Sequence, residues 1–120
     1  MTELDRALDM RVLEELRASV GGDQEFVSEL VDDFLADAPA QLEGLRAASS
    51  SGDSDMARRA AHTLKGTSRT FGAEVLAALC QEAEAAAGMG DLESVRTRLP
   101  GIDVEWARVR TELLSVRDGA

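Results

Sequence analysis

At 120 residues, with 44% hydrophobic, 30% charged and only 3% aromatic residues, the chain has the composition of a globular protein whose core is Leu, Val and Ala rather than rings. Thirteen basic against 23 acidic residues give a formal charge of -10, which repels phosphate backbones and anionic lipid, so neither nucleic acid nor a membrane surface is an expected partner. One cysteine and one histidine exclude an intrachain disulfide and a zinc cluster of the usual kind, and no metal or other cofactor is expected. Apolar residues then recur at helical rather than alternating spacing almost throughout, broken at intervals by Gly, Ser and Asp. A short first helix is predicted from about Met10 to Val20, capped by Asp9 and ended by Gly21 and Gly22. Asp23 opens a second, with Val27, Val31, Phe34, Ala38, Leu42 and Leu45 on one face and a kink expected after Leu35 because Pro39 lies inside it. "SSSGDSD", Ser49 to Asp55, reads as a loop in which Asp53 or Ser54 caps a third helix over about Asp55 to Thr70. A fourth runs from about Ala73 to Ala87. The fifth, from near Asp91, carries Val95, Leu99, Ile102, Trp106, Val109, Leu113 and Val116, with a kink or short interruption at Pro100 and Gly101.

Short connections between long amphipathic segments predict an all-α protein, an antiparallel up-down four-helix bundle with an additional short N-terminal helix. A chain of this length buries about two thirds of its unfolded surface, so one domain over residues 1–120 is expected. Trp106 lies on the apolar stripe of the last segment and is expected to be buried. No segment approaches the ~20 apolar residues that cross a bilayer, and no basic stretch leads into an apolar block at the start, so a cytoplasmic location is expected.

The third helix holds the lone histidine in "RRAAHTLKGTSRTFGA", a stretch without an acid in a strongly acidic chain. At about 100° per residue, Ala57, Ala60, Leu64, Thr67, Ser68 and Phe71 gather on a core side. His62 points the opposite way, with Arg58, Arg59, Lys65, Gly66 and Arg69 within about 60° of it. The sequence therefore predicts an exposed imidazole in a cationic, solvent-facing stripe, a setting that suits a phosphoryl group and favours the neutral, nucleophilic ring. Gly66 costs the helix about 1 kcal/mol relative to alanine, which is understandable if something bulky must approach His62 closely.

At these residues the sequence resembles the histidine-containing phosphotransfer (HPt) family, whose signature A-H-x-L-K-G is followed by small residues and G-A or G-L, as in "AHTLKGTSRTFGA". The resemblance extends to Leu8-Asp9, "GGDQEFVSELVDDFLADAP", the Cys and Glu of "LCQEAE" and Gly90-Asp91, and so covers nearly the whole chain. It implies a phosphorelay protein in which His62 is phosphorylated on its outer ring nitrogen, with Lys65 near the phosphoryl oxygens and Gly66 leaving room for the partner. It further implies that Glu84 on the next helix holds the inner nitrogen. Partners would be receiver domains of response regulators or hybrid histidine kinases, which would also supply magnesium. Docking would use the region around His62, including Arg58, Arg59 and Arg69, with Met10 and Leu13 of the first helix adding apolar contact. A monomer is expected.

No G-x-x-x-x-G-K-[ST] loop or kinase fingerprint is present, so the expected protein is a phosphotransfer intermediate and not an ATP-dependent kinase or other enzyme. Two rivals are a hydrolase with His62 as general base, which an exposed helix face does not suit, and a phosphorylation-incompetent bundle that binds a response regulator. The intact His62, Lys65 and Gly66 oppose the second.

Overall fold

Four aspartates set where the chain starts its helices. In the computed structural model, which describes residues 6–119, the helices are α1 (Met10–Ser19), α2 (Gln24–Ser51), α3 (Ser54–Thr70), α4 (Glu74–Gly88) and α5 (Leu92–Arg117). Asp9 accepts the amide of Arg11, Asp23 those of Glu25 and Phe26, Asp53 that of Met56, and Asp91 that of Ser94. Each cap satisfies donors that the helix itself cannot, for about 1 kcal/mol apiece. Helix α4 starts without a side-chain cap. Among the described residues there is no strand, and no helix is long and apolar enough to cross a membrane.

The boundaries depart from the sequence expectation at one point. Residues Ser49–Ser51, read as loop, continue α2. Ser49 is buried, its hydroxyl donates to the carbonyl of Arg46, and its own carbonyl accepts from the Arg96 guanidinium, so tertiary contacts extend the helix past a locally loop-like serine run. Gly52, in the left-handed conformation at φ 86°, ends it. The prolines interrupt neither long helix: α2 runs through Pro39 and α5 through Pro100.

Helix α2 packs on α3 and α5, and α4 packs on the same two, so the four long helices contact one another in a cycle. Between them lies an apolar cluster that includes Val31, Phe34, Leu45, Leu64, Leu76, Ile102 and Leu113. Phe34 stacks on Phe71 at 5.0 Å and tilts against Trp106 at 5.3 Å, and Trp106 is 8% exposed, as its position on the stripe predicts.

Helix α1 is tied on at two places. Glu112 of α5 accepts the amides of Ala7 and Leu8, and the amide of Asp9 donates to the carbonyl of Gly72 at 2.8 Å. Gly72 has φ +74°, and a Cβ there would lie 2.9 Å from the Asp9 carbonyl, so only glycine allows this approach. The α3–α4 turn and the start of α1 are thereby held together beside the end of α3.

Candidate functional site

Helix α3 buries Ala57, Ala60, Ala61, Leu64 and Ser68, and Phe71 follows them into the core. Thr67, expected with them, is half-buried, its hydroxyl donating to the Thr63 carbonyl. Across from α3, α4 buries Ala77, Cys80, Ala83 and Ala87. Such short side chains let two helices approach closely, which brings polar groups at their rim within reach of one another.

His62 stands on that rim with its side chain 64% exposed, and its Nδ1 is 2.9 Å from Glu84 Oε2. An ionised carboxylate only accepts, so the proton between them belongs to Nδ1, and in the neutral ring the lone pair is the one on Nε2. Lys65 completes the group: its Nζ lies 2.5 Å from Glu84 Oε1 and donates to Gln81 Oε1 at 2.9 Å. Burial alone would push the Glu84 carboxyl up, but hydrogen bonds from Lys65 and His62, with the charge of both, outweigh it and hold the carboxyl below its ordinary value. Cys80 beneath them is fully buried; burial first, and then the Glu84 charge, push its thiol up to about 12 against the opposing pull of Lys65, so it is no thiolate nucleophile near neutral pH.

The cationic stripe read from the sequence is corrected in two respects. Lys65 does not face solvent: its side chain is only 11% exposed and is engaged by Glu84 and Gln81. Arg58 and Arg59 both pair with Asp55, at 3.3 and 3.7 Å, so an acid from the first turn of the same helix offsets part of their charge. Arg69 is exposed and makes no ion pair among the described residues. Gly66 is exposed, and a Cβ built on it would meet nothing within 4 Å.

The two apolar docking residues read from the sequence, Met10 and Leu13, are less exposed than that reading expects. Leu13 is buried, and Met10 is half-buried with its sulfur accepting from Arg6 Nη1; both line a hollow shared with Glu112, Ser115 and Val116 of α5. Leu13 joins the apolar core, and Met10 packs against it. Gln81 is the site residue that sequence reasoning missed. Its signal was its spacing, since it precedes Glu84 by three residues and so shares a face of α4 with it. No group of three or more His, Cys, Asp or Glu that could hold a metal ion occurs among the described residues.

The Glu84 network predicts a pH-dependent stability difference. A carboxyl whose folded value is depressed contributes stability above its unfolded value, and that contribution is lost as pH falls through the folded value. Glu84→Gln is expected to cost about 1 kcal/mol near neutral pH, by removing the charge that Lys65 meets at an incompletely exposed position. The difference from the parent should shrink to nothing below the ordinary carboxylate range of about 4. Thermal melts of both chains across that range check this; a constant difference would show that Glu84 is not held ionised by its partners.

A model of the Hpt domain family matches residues 29–119. The chain is similar in structure to histidine-containing phosphotransfer protein B from Pseudomonas aeruginosa PAO1, with a TM-score of 0.87 and 33% sequence identity over 97% of this chain and 98% of that one. No curated protein matches it.

Proposed function

The chain belongs to the Hpt domain family, and from that premise we propose that His62 is its phosphoacceptor, taking a phosphoryl group from a receiver-domain aspartyl phosphate and passing it to another receiver aspartate. The observation that supports the reading is the contact of His62 Nδ1 with Glu84 at 2.9 Å on an exposed ring, an arrangement in which the neutral imidazole carries its lone pair on Nε2. The Nε2 lone pair attacks phosphorus in line with the aspartyl oxygen. The N–P bond forms as the P–O bond breaks, and the aspartate leaves as a carboxylate. No proton has to leave Nε2, and the proton on Nδ1 stays in its hydrogen bond to Glu84, which stabilises the positive charge gained by the ring. Onward transfer is the reverse, with a second aspartate as nucleophile.

Lys65 serves this chemistry from one helical turn away. Its ammonium balances Glu84 in the resting protein and lies near where the phosphoryl oxygens arrive. Arg58, Arg59 and Arg69 give the approaching receiver a positive face, Arg69 most directly because it carries no carboxylate partner among the described residues. Magnesium is supplied by the receiver and no nucleotide is used, so the protein acts as a phosphotransfer intermediate and not as a kinase. The contact cycle of α2 to α5 and their short connections support an antiparallel up-down bundle with α1 added at one end, which holds His62 on a rigid helix. We read the protein as a cytoplasmic monomer that shuttles between receivers.

The test is incubation with a phosphorylated receiver domain. Label should move onto this chain without nucleotide, be lost in acid and persist in base, as a phosphoramidate does. Failure to take label from any receiver of a full panel, or an acid-stable adduct, would overturn the assignment.

A further inference from the structure

We infer that Gln81 is a positioning residue for the transfer: it holds the Lys65 ammonium beside His62 through a neutral acceptor, so that the charge of Lys65 stays available to an arriving phosphoryl group, an inference that rests on the proposed role of His62. His62 stands opposite Glu84 and Lys65 opposite Gln81, two pairs of residues three apart that face one another across α3 and α4. Lys65 Nζ lies 2.5 Å from Glu84 Oε1 and donates to Gln81 Oε1 at 2.9 Å. An ammonium carries three donors, and the third has no acceptor among the described residues. That donor is the one left for a phosphoryl oxygen.

Lysine bears its charge at the end of a flexible four-carbon stem. Glu84 alone would fix Nζ at one point and leave the ammonium free to swing about it. Gln81 supplies a second point, on the same face of α4, and the ammonium is thereby kept at a position where the side chain is only 11% exposed. Gln81 itself is exposed and fills no part of the core, so the contact with Lys65 is what its side chain does among the described residues.

The acceptor is an amide in a chain of formal charge -10, next to Glu82 and three residues before Glu84. Glu82 meets Arg98 at 3.1 Å, and Glu84 is already shared by Lys65 and His62. One carboxylate balances one ammonium. A second carboxylate, at position 81, would make the group net negative before any phosphoryl group arrived, and would repel it. Yet it would bind Lys65 at least as firmly as the amide does, because hydrogen bonds between ionised groups are the stronger ones. Glutamine at this position holds the ammonium without cancelling it.

The test compares the full parent chain with Gln81→Glu and Gln81→Leu, using phosphoramidate as a small donor that reaches His62 without docking, and His62→Gln as the control. Nε2 attacks phosphorus, the new N–P bond forms as the donor's own P–N bond breaks, and the nitrogen leaves as ammonia with the protons it already carries. At one sub-saturating donor concentration, Gln81→Glu should label about tenfold more slowly than the parent. Gln81→Leu, which loosens the ammonium without adding charge, should be slower by about threefold. Gln81→Glu should melt no lower than the parent and Gln81→Leu within about 2 °C of it. A residue that only joined α3 to α4 would give the opposite pattern, with parental labelling in Gln81→Glu and lost stability in Gln81→Leu; that pattern overturns the inference. Labelling of both variants at the parental rate, while His62→Gln takes none, overturns it too and leaves the reading of His62 standing. A parent chain that phosphoramidate does not label, or a His62→Gln chain that it does, overturns the reading of His62 and this inference with it.

Discussion

His62→Gln is expected to abolish phosphoryl acceptance while leaving the fold intact. Glutamine is a good helix former, and the replaced ring is 64% exposed, so the helix loses little packing and global stability should shift by no more than about 0.5 kcal/mol. The amide can still reach toward Glu84, but it has no basic nitrogen and cannot attack phosphorus. No other group in the neighbourhood replaces it. The Cys80 thiol is buried and pushed up to about 12, and the nearby ammonium of Lys65 is bound to Glu84 and Gln81. Label transferred from a phosphorylated receiver should fall to background, with circular dichroism and melting temperature close to those of the parent. Label that persisted in this variant would place the acceptor elsewhere in the chain.

The parts of this site that were legible in the sequence are those that one helix determines by itself. His62, Lys65 and Gly66 occupy three positions of α3, and the periodicity of Ala57, Ala60 and Leu64 puts His62 on the outer face without knowledge of any neighbour. The aspartate caps were legible for the same reason, since each acts on amides two or three residues away. What the sequence did not show depends on how two helices sit side by side. Lys65 reads as a solvated cation on a wheel, yet the small residues of α4 bring Glu84 and Gln81 close enough to draw its ammonium into an 11% exposed position. Arg58 and Arg59 read as free charges because Asp55 lies outside the acid-free stretch, although it is only one turn back. Leu13 could be placed on the apolar side of α1 but not in the core, because where α1 sits on the bundle is fixed by the Asp9–Gly72 and Glu112 contacts.

A site built this way separates stability from function. The carboxylate beside His62, and the ammonium and amide that engage that carboxylate and one another, lie on the rim of two helices whose buried faces are apolar, so changes at the rim should cost the fold no more than about 1 kcal/mol. The phosphoryl transfer we propose at Nε2, by contrast, would depend on a partner reaching an exposed ring. Substitutions that fill space above α3 should therefore act on the encounter rather than on the bundle.

Gly66→Gln shows that separation most sharply. Gly66 is exposed, helical and open, since a Cβ there would meet no atom within 4 Å. Replacing glycine with a helix former at such a position removes backbone entropy from the unfolded chain and should stabilise the protein by up to about 1 kcal/mol, a rise of about 4 °C in melting temperature. The new side chain would project one turn along α3 from His62 and about 40° around it. There it would stand in the path of a receiver whose aspartyl phosphate must come into line with Nε2. Misplacement by about 1 Å can cost a transfer step a hundredfold, and a glutamine side chain is several times longer than that. Gly66→Gln is therefore expected to melt at or above the parent temperature and to accept phosphate from a receiver at least about a hundredfold more slowly, while phosphoramidate, too small to be obstructed, still labels His62. A variant that is stable and takes phosphate from the receiver at the parental rate would show that the receiver reaches Nε2 without passing over Gly66.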